Sequence, residues 1–84
     1  MEERTERNPI GADGPGHPII NVSTRNNEHL RLTYVPVGYT GRPTMRFEIV
    51  DANNHRRPGP EVPIECMGEV AEAISKMMVE QGHW

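Results

Sequence analysis

Alternation of apolar and polar residues predicts two neighbouring β-strands in the middle of the chain, over residues 30–37 and 44–50. The apolar positions are Leu30, Leu32 and Tyr34 in the first strand and Met45, Phe47 and Ile49 in the second. Side chains two residues apart point to the same face of a strand. Residues 38–43 have turn composition, so the pair is predicted to form a hairpin with one apolar face and one polar face.

Two weaker patterns flank this hairpin. The apolar run at residues 18–22 predicts a first strand, and residues 62–66 predict a short fourth strand at a sheet edge, because Pro63 cannot donate a backbone hydrogen bond. Residues 51–60 contain Asn53-Asn54 and Pro58-Gly59-Pro60 and are predicted to be a loop.

The last quarter of the chain predicts one amphipathic helix that ends near Gly82. Its apolar stripe comprises Met67, Val70, Ala71, Ile74, Met77 and Met78. The predicted fold is therefore α+β, a four-stranded antiparallel sheet followed by one C-terminal helix that covers the apolar face. Residues 1–16 are too polar to repay the entropy of ordering and are predicted to be a disordered tail. The domain spans residues 17–81, and residues 82–84 form the C-terminal end.

The small size of the chain predicts self-association. A domain of 84 residues buries a small fraction of its surface, and this one has only four aromatic residues with which to build a core. Adjacent apolar pairs make the helix stripe wide enough to serve both the sheet and a second subunit. We therefore expect a homodimer with the helix in its core or interface, through Met67, Val70, Ile74, Met77 and Met78.

Charge is distributed unevenly along the chain. The net charge is −3, yet residues 25–57 contain six arginines and three acidic residues, for a local charge of +3. Residues 61–84 contain five glutamates and one lysine, for a local charge of −4. An anionic partner is therefore compatible with the acidic total, because the positive charge is gathered on the predicted strands.

Catalytic and metal-binding motifs are not found in the sequence. Cys66 is the single cysteine, and it and the four histidines lack the paired spacing of zinc ligands. No glycine-rich phosphate loop occurs. We expect a protein without catalytic activity, metal or cofactor. The chain also shows no leader and no long apolar run, so we expect no membrane association and a cytoplasmic location, or a nuclear one in a eukaryote.

The order of these parts resembles the positive cofactor four family of transcriptional coactivators, which are small single-stranded-DNA-binding proteins with a curved antiparallel sheet followed by one helix. The resemblance covers roughly residues 28–80. It rests on the alternating strand at residues 32–37 with its turn at 39–42, the charged strand at 45–49 and the basic Pro-Gly segment at 56–60. Pro60-Glu61 replaces basic residues of the family, and the helix lacks the family's tryptophan near its start.

The resemblance implies that single-stranded DNA lies across the open sheet face, in transcription or replication. The candidate residues are Arg31, Arg42, Arg46, Arg56 and Arg57 for phosphates and Tyr39 for stacking on a base. The alternative for these arginines is that they only solubilise the sheet face. A second hypothesis is a protein-binding inhibitor or adaptor of the phage type, whose acidic helix or arginine-bearing sheet contacts a larger host protein, such as a polymerase.

Overall fold

The computed structural model describes residues 8–83, and its main element is a five-stranded antiparallel sheet whose strands are neighbours in chain order. The strands are β1 (Gly11–Ala12), β2 (Pro18–Ser23), β3 (His29–Val35), β4 (Thr44–Val50) and β5 (Arg56–Pro63). A 3₁₀ turn, Ile64–Cys66, leads into helix α1, Met67–Glu80. The predicted α+β order of an antiparallel sheet followed by one helix is confirmed, whereas the prediction of four strands is wrong.

The two outer strands account for the difference. Strand β1 pairs with Pro18 and Ile19, although it lies in the segment predicted to be a disordered tail. Strand β5 begins at Arg56, inside the predicted loop, and ends where the chain enters the 3₁₀ turn instead of continuing to Cys66. Its prolines suggested a loop, but an edge strand tolerates prolines because only one side of it must pair.

All four hairpins close in the same way. In the turns at residues 13–17, 24–28, 38–42 and 51–55, the N–H of the first residue donates to the carbonyl of the fifth over 2.9–3.0 Å. The fourth residue has a positive φ in each case: Gly16, Asn27, Gly41 and Asn54. Glycine and asparagine tolerate this left-handed conformation, which belongs to the three-residue hairpin loop. The local sequence therefore determines the turns that hold the sheet in chain order.

Cross-strand register divides the sheet into two faces. The apolar face comprises Ile20, Val22, Leu30, Leu32, Tyr34, Met45, Phe47, Ile49 and Val62. The arginine face comprises Ile19, Asn21, Ser23, His29, Arg31, Thr33, Val35, Thr44, Arg46, Glu48, Val50, Arg56 and Glu61. A bulge sets Gly59 and Pro60 opposite Phe47. A Cβ on Gly59 would lie 2.9 Å from the Phe47 carbonyl oxygen, so the close approach of the two strands requires glycine there.

Burial is concentrated on the arginine face. The four buried side chains among residues 8–83 are Thr33, Val35, Thr44 and Val50, with exposed fractions between 0% and 5%. No side chain of the apolar face is buried, although several are large. The single chain therefore has a small core on the face that the sequence marks as polar.

Helix α1 leaves the apolar face uncovered. None of its residues is buried, and among residues 8–83 it packs extensively only against the 3₁₀ turn. The N–H of Ile64 donates to the Pro43 carbonyl over 3.1 Å, which fixes the turn beside the start of β4. The predicted packing of the helix on the sheet is thus wrong for the single chain, because the turn sets the direction in which the helix leaves.

The C-terminal end of the helix follows the sequence prediction. Gly82 has a φ of 76° and donates its N–H to Val79, while His83 donates to Met78. This pair of bonds is the Schellman arrangement, which satisfies the last carbonyls of a helix. Trp84 lies outside the described residues. Within residues 8–83, no helix has the length and apolar character needed to cross a membrane.

Candidate nucleic-acid interface

Three of the five candidate arginines lie together on one sheet face. Arg31 on β3, Arg46 on β4 and Arg56 on β5 all belong to the arginine face. Arg31 pairs directly with Glu48 and Arg46 pairs directly with Thr33, so the two arginines are diagonal neighbours. Arg56 lies opposite Val50 at the end of the same face. Along the strand direction, Arg31 lies one row from Arg56 and one row from Arg46, so the three side chains form a triangle over β3, β4 and β5.

Arg31 is oriented by a neighbour on the next strand. Its Nε donates to Oδ1 of Asn21 over 3.1 Å, and Asn21 is its direct partner in the pairing of β2 with β3. A bond through Nε restrains the guanidinium plane while its terminal amino groups keep their donor capacity. Arg31 makes no other side-chain hydrogen bond to residues 8–83. The side chain is therefore positioned with donors still available to a ligand.

Arg46 is oriented by an acidic residue, Glu61, which lies directly opposite it on β5. Its Nε is 3.5 Å from Oε1 of Glu61, and the Arg46 side chain is 41% exposed. The other carboxylate oxygen, Oε2, accepts the hydroxyl of buried Thr44 over 2.7 Å and the backbone N–H of Tyr39 over 3.0 Å. Glu61 therefore joins β4, β5 and the β3–β4 turn.

The environment of Glu61 stabilises its ionised form. The hydrogen bond from Thr44 and the backbone hydrogen bond from Tyr39 lower the pKa of the Glu61 carboxyl below its ordinary value, and the charge of Arg46 acts in the same direction. Gly38 leaves room for this network, because a Cβ there would overlap the Thr44 hydroxyl and lie 2.6 Å from Oε2 of Glu61. Sequence reasoning missed this role, because the sequence alone shows Glu61 only as an acidic residue in a proline-rich segment.

The β3–β4 turn places an aromatic ring and a further cation at the end of the sheet. Tyr39 is 69% exposed, and its backbone is held by Glu61. Arg42 is exposed in the same turn, which is tightened by a bond from its N–H to the Thr40 hydroxyl over 3.3 Å. Tyr39 and Arg42 therefore lie in one short turn at the end of the sheet that is nearer to Arg46.

The remaining candidate arginine is separated from the others. Arg57 is the direct partner of Ile49 and so belongs to the side of the apolar face. Its Nη2 lies 2.8 Å from Oε2 of Glu28, although the Arg57 side chain is still 64% exposed. The sequence placed Arg56 and Arg57 together in a loop, but on a strand two consecutive residues point to opposite faces.

The arginine face has a small positive charge. It carries Arg31, Arg46 and Arg56 together with Glu48 and Glu61, for a net charge of +1 with neutral histidine. Arg42 in the adjacent turn adds another positive charge. Interleaved carboxylates reduce the local potential, so any binding of an anion depends on individual guanidinium contacts more than on a strong field.

A second group of candidate residues lies on helix α1. Ile74 and Met77 of the apolar stripe are 58% and 61% exposed, and Met67, Val70 and Met78 are half-buried. On the sheet, Ile10 extends the uncovered apolar face beside β1 and is 71% exposed. The chain therefore presents two apolar surfaces, one on the sheet and one on the helix.

Residues 8–83 bring no three His, Cys, Asp or Glu side chains together in a way that could hold a metal ion. One polar atom on the arginine face is notable: Nε2 of His29 is buried and has no hydrogen-bond partner among the described residues. A buried unpaired nitrogen destabilises the fold by about 1–3 kcal/mol. The hydrogen-bonding capacity of His29, which lies opposite Val50, is therefore not fully used within the described residues.

Comparison of the chain with protein-family models, with curated proteins and with solved structures finds no match. The resemblance to the positive cofactor four family stays a prediction from the order of the elements and from local sequence patterns.

Proposed function

We propose that the protein binds single-stranded nucleic acid, single-stranded DNA in the first instance, without a catalytic step, as a transcription or replication cofactor does. The observation that carries this proposal is the placement of Arg31, Arg46 and Arg56 on one sheet face. The exposed ring of Tyr39 lies in the β3–β4 turn, at one end of the sheet. Open sheets that bind single strands combine cations along the backbone with aromatic rings on which bases stack.

The geometry of the arginines suits backbone contacts. Asn21 restrains Arg31, and Glu61 restrains Arg46, in each case through the Nε atom. The terminal amino groups of both arginines can therefore donate to a phosphate from side chains that are already oriented. A restrained guanidinium loses less conformational entropy when it binds a phosphate than a freely rotating one. Two residues along a strand span about 7 Å. Arg56, Arg31 and Arg46 lie in three successive rows of this face, so their spacing along the strands is about 7 Å from one row to the next.

The acidic residues on the arginine face limit the expected affinity for nucleic acid. Glu48 and Glu61 lie among the arginines, so we expect moderate affinity that falls steeply with added salt. For a single strand, the slope of log affinity against log salt concentration is about −0.7 for each phosphate contacted. Three or four arginine contacts would therefore give a slope of roughly −2 to −3.

The test is fluorescence anisotropy of a labelled single-stranded oligonucleotide, measured across a salt series with the matching duplex as a control. In the double variant Arg31→Ala with Arg46→Ala, we expect the slope to become shallower by about 1.4, because two phosphate contacts are lost. The matched control is Arg57→Ala, which removes an exposed arginine from the other side of the sheet and should leave the affinity unchanged.

The outcomes separate the explanations. Salt-sensitive binding that prefers the single strand, and that weakens in the double variant but not in Arg57→Ala, supports the proposal. Equal weakening in both proteins would indicate a nonspecific charge effect, and an absence of binding at low salt would contradict nucleic-acid binding altogether.

A second candidate function is that of a protein-binding inhibitor or adaptor, in which a larger host protein such as a polymerase is the partner. The observation that favours it is the exposed apolar stripe of α1, since exposed apolar surface of this kind marks interaction sites. In this case a helix variant such as Ile74→Glu would abolish capture of the purified partner, and the arginine double variant would not.

A further inference from the structure

The two edges of the sheet differ in how they are protected. At one edge, β5 contains three prolines in its eight residues, and proline cannot donate a backbone hydrogen bond to a further strand. At the other edge, β1 pairs only with Pro18 and Ile19, so residues 20–23 of β2 have no strand on their outer side within residues 8–83. These four residues include neither a proline nor a charged side chain. Prolines and charges are the usual protection of a sheet edge, so the outer edge of β2 is unprotected.

The backbone of β2 has open hydrogen-bonding groups at this edge. The N–H of Thr24 donates to the Glu28 carbonyl, so the backbone of Thr24 faces the side of β3. Backbone groups alternate in direction along an antiparallel strand, and those of Asn21 and Ser23 therefore face away from β3. Their two N–H and two carbonyl groups make no backbone hydrogen bond within residues 8–83. A row of such groups is a template for a further strand.

The residues just before β1 do not supply this strand. Gly11 lies opposite Ile19, so Pro9 would lie opposite Asn21 if β1 continued in the same register. Proline has no N–H with which to reach the Asn21 carbonyl, and the chain bends at Asn8. The pairing of β1 with β2 therefore stops at Gly11, and the edge beyond it is open within residues 8–83.

The side chains on the apolar side of the open edge indicate which segment would fit. Val22 is 39% exposed and pairs with Leu30 of β3. Ile20, on the same face, lines an apolar pocket with Ile10 and Leu32. Successive side chains of an added strand point to opposite faces, so its residues opposite Ile20 and Val22 would lie on the apolar face. Apolar side chains at these two positions would cover Val22 and enter the pocket.

On the other face, the residue opposite Asn21 would meet a positive charge. The Arg31 guanidinium extends towards β2, since its Nε donates to Oδ1 of Asn21 over 3.1 Å. Strands two places apart in a sheet are separated by about 9–10 Å, a distance that an arginine and a glutamate side chain span together. Arg25, exposed in the β2–β3 turn, adds positive charge near Ser23. An acidic side chain between the two apolar ones is therefore favoured, and it fixes the register of the added strand.

We propose that the protein binds an extended, proline-free segment of another protein, which adds to the outer edge of β2 as a further strand and carries an acidic residue between two apolar ones. The added strand runs antiparallel to β2, as β1 does, and exchanges backbone hydrogen bonds with Asn21 and Ser23. In this mode of recognition the main-chain bonds supply affinity and the alternate side chains supply specificity. The site is separate from the apolar stripe of α1 and shares only Arg31 with the proposed nucleic-acid interface.

The first test is residue-specific amide hydrogen exchange of the full chain, measured by NMR with and without a synthetic peptide. The peptide has threonine, valine, glutamate and leucine at its centre, so that its valine lies opposite Val22 and its glutamate opposite Asn21. At saturating peptide, we expect exchange at Asn21 and Ser23 to slow at least about tenfold. Exchange at Ile20 and Val22 should change little, because their N–H groups already face β3.

The second test uses two N-methylated forms of the same peptide as a matched pair. Methylation of the glutamate amide removes the donor to the Asn21 carbonyl, so we expect the affinity measured by fluorescence anisotropy to fall at least about tenfold. Methylation of the valine amide, which faces away from β2, should leave the affinity unchanged. Replacement of the glutamate by glutamine should weaken binding to the wild type but not to Arg31→Ala, because only the wild type has the guanidinium.

A protein variant closes the edge directly. Ser23→Pro removes an N–H that faces away from β3 and should abolish peptide binding. Circular dichroism shows whether this variant is folded, and the methylated peptides test the same contact without it.

Four results would overturn the proposal. Equal weakening by the two methylations would exclude strand addition at this register. Slow exchange of Asn21 and Ser23 in the free monomer would show that another part of the same chain occupies the edge. Slow exchange of both in a dimer that Ser23→Pro dissociates would show that a second copy occupies it. An absence of saturable binding up to about 1 mM peptide would show that the edge does not accept a strand of this chemistry.

Discussion

The two faces of the sheet differ in burial, and the difference is the opposite of what the sequence pattern predicts. The apolar face carries the large side chains Leu32, Phe47 and Ile49, and all of them are partly exposed. The arginine face carries charged residues, yet it contains the four buried side chains of the described chain. The comparison teaches that hydrophobic patterning identifies which face is suited to burial, whereas burial itself requires a covering element.

The sizes of the side chains explain the buried positions. Thr33, Thr44 and Val50 are small, and they lie beside the long side chains of Arg31, Arg46 and Glu48. Long charged side chains cover neighbouring small residues with their aliphatic stems while their charged ends reach water. The arginine face thus has its own cover, whereas the apolar face depends on another element for one.

The largest expected effect on the arginine face is that of Gly38→Ala. The new Cβ would overlap the buried Thr44 side chain and displace Glu61, so we expect the free energy of unfolding to fall by about 3 kcal/mol or more. Chemical denaturation measures it. Gly14→Ala is the control, because a Cβ there meets no atom within 4 Å. Equal stability of the two variants would show that the Glu61 network does not stabilise the sheet.

The next largest effect concerns the free energy of unfolding when a valine is replaced by alanine on each face of the sheet. Val50 is fully buried and Val22 is 39% exposed. We expect Val50→Ala to lower the free energy of unfolding by about 2 kcal/mol, and Val22→Ala to lower it by less than about 1 kcal/mol, in the dissociated chain. Denaturation at several protein concentrations sharpens the comparison. A cost for Val22→Ala that grows with concentration would show that association covers the apolar face.

A smaller effect concerns the pH dependence of stability. Because the Thr44 and Tyr39 hydrogen bonds hold the pKa of the Glu61 carboxyl below its ordinary value, ionised Glu61 stabilises the fold at any pH above that ordinary value. This stabilisation is lost as the pH falls through the lower pKa of the folded state. We expect Glu61→Gln to show a weaker loss of stability than the wild type between neutral and acidic pH in thermal unfolding. Parallel curves for the two proteins would contradict this role.

The smallest expected effect is that of Arg57→Ala. The ion pair of Arg57 with Glu28 is short but largely exposed, and exposed pairs contribute about 0–1 kcal/mol. We therefore expect a change in the denaturation midpoint that is barely measurable. A large loss of stability would mean that the Arg57 side chain is covered, which would place it inside an interface at the apolar face.

Much of the architecture could be predicted from local sequence. The alternation at residues 30–35 and 44–50 determines the central hairpin and the assignment of Arg31 and Arg46 to the polar face, and Gly82 marks the end of the helix as predicted. These features depend on the period of the side chains and on glycine conformation, which act within a few residues. The candidate arginines themselves stay predictions until binding is measured.

Tertiary structure decided what local patterns do not contain. The pairing of β5 with β4 converted a Pro-Gly segment into a strand, sent Arg56 and Arg57 to opposite sides, and placed Glu61 against Thr44 and the Tyr39 backbone. Likewise, the amphipathic pattern of α1 predicts that one side of the helix packs against another surface. The direction of the chain after Ile64 decides that this surface is not the sheet of the same chain. Side-chain period is a local property, whereas register and burial arise from contacts between segments that are distant in sequence.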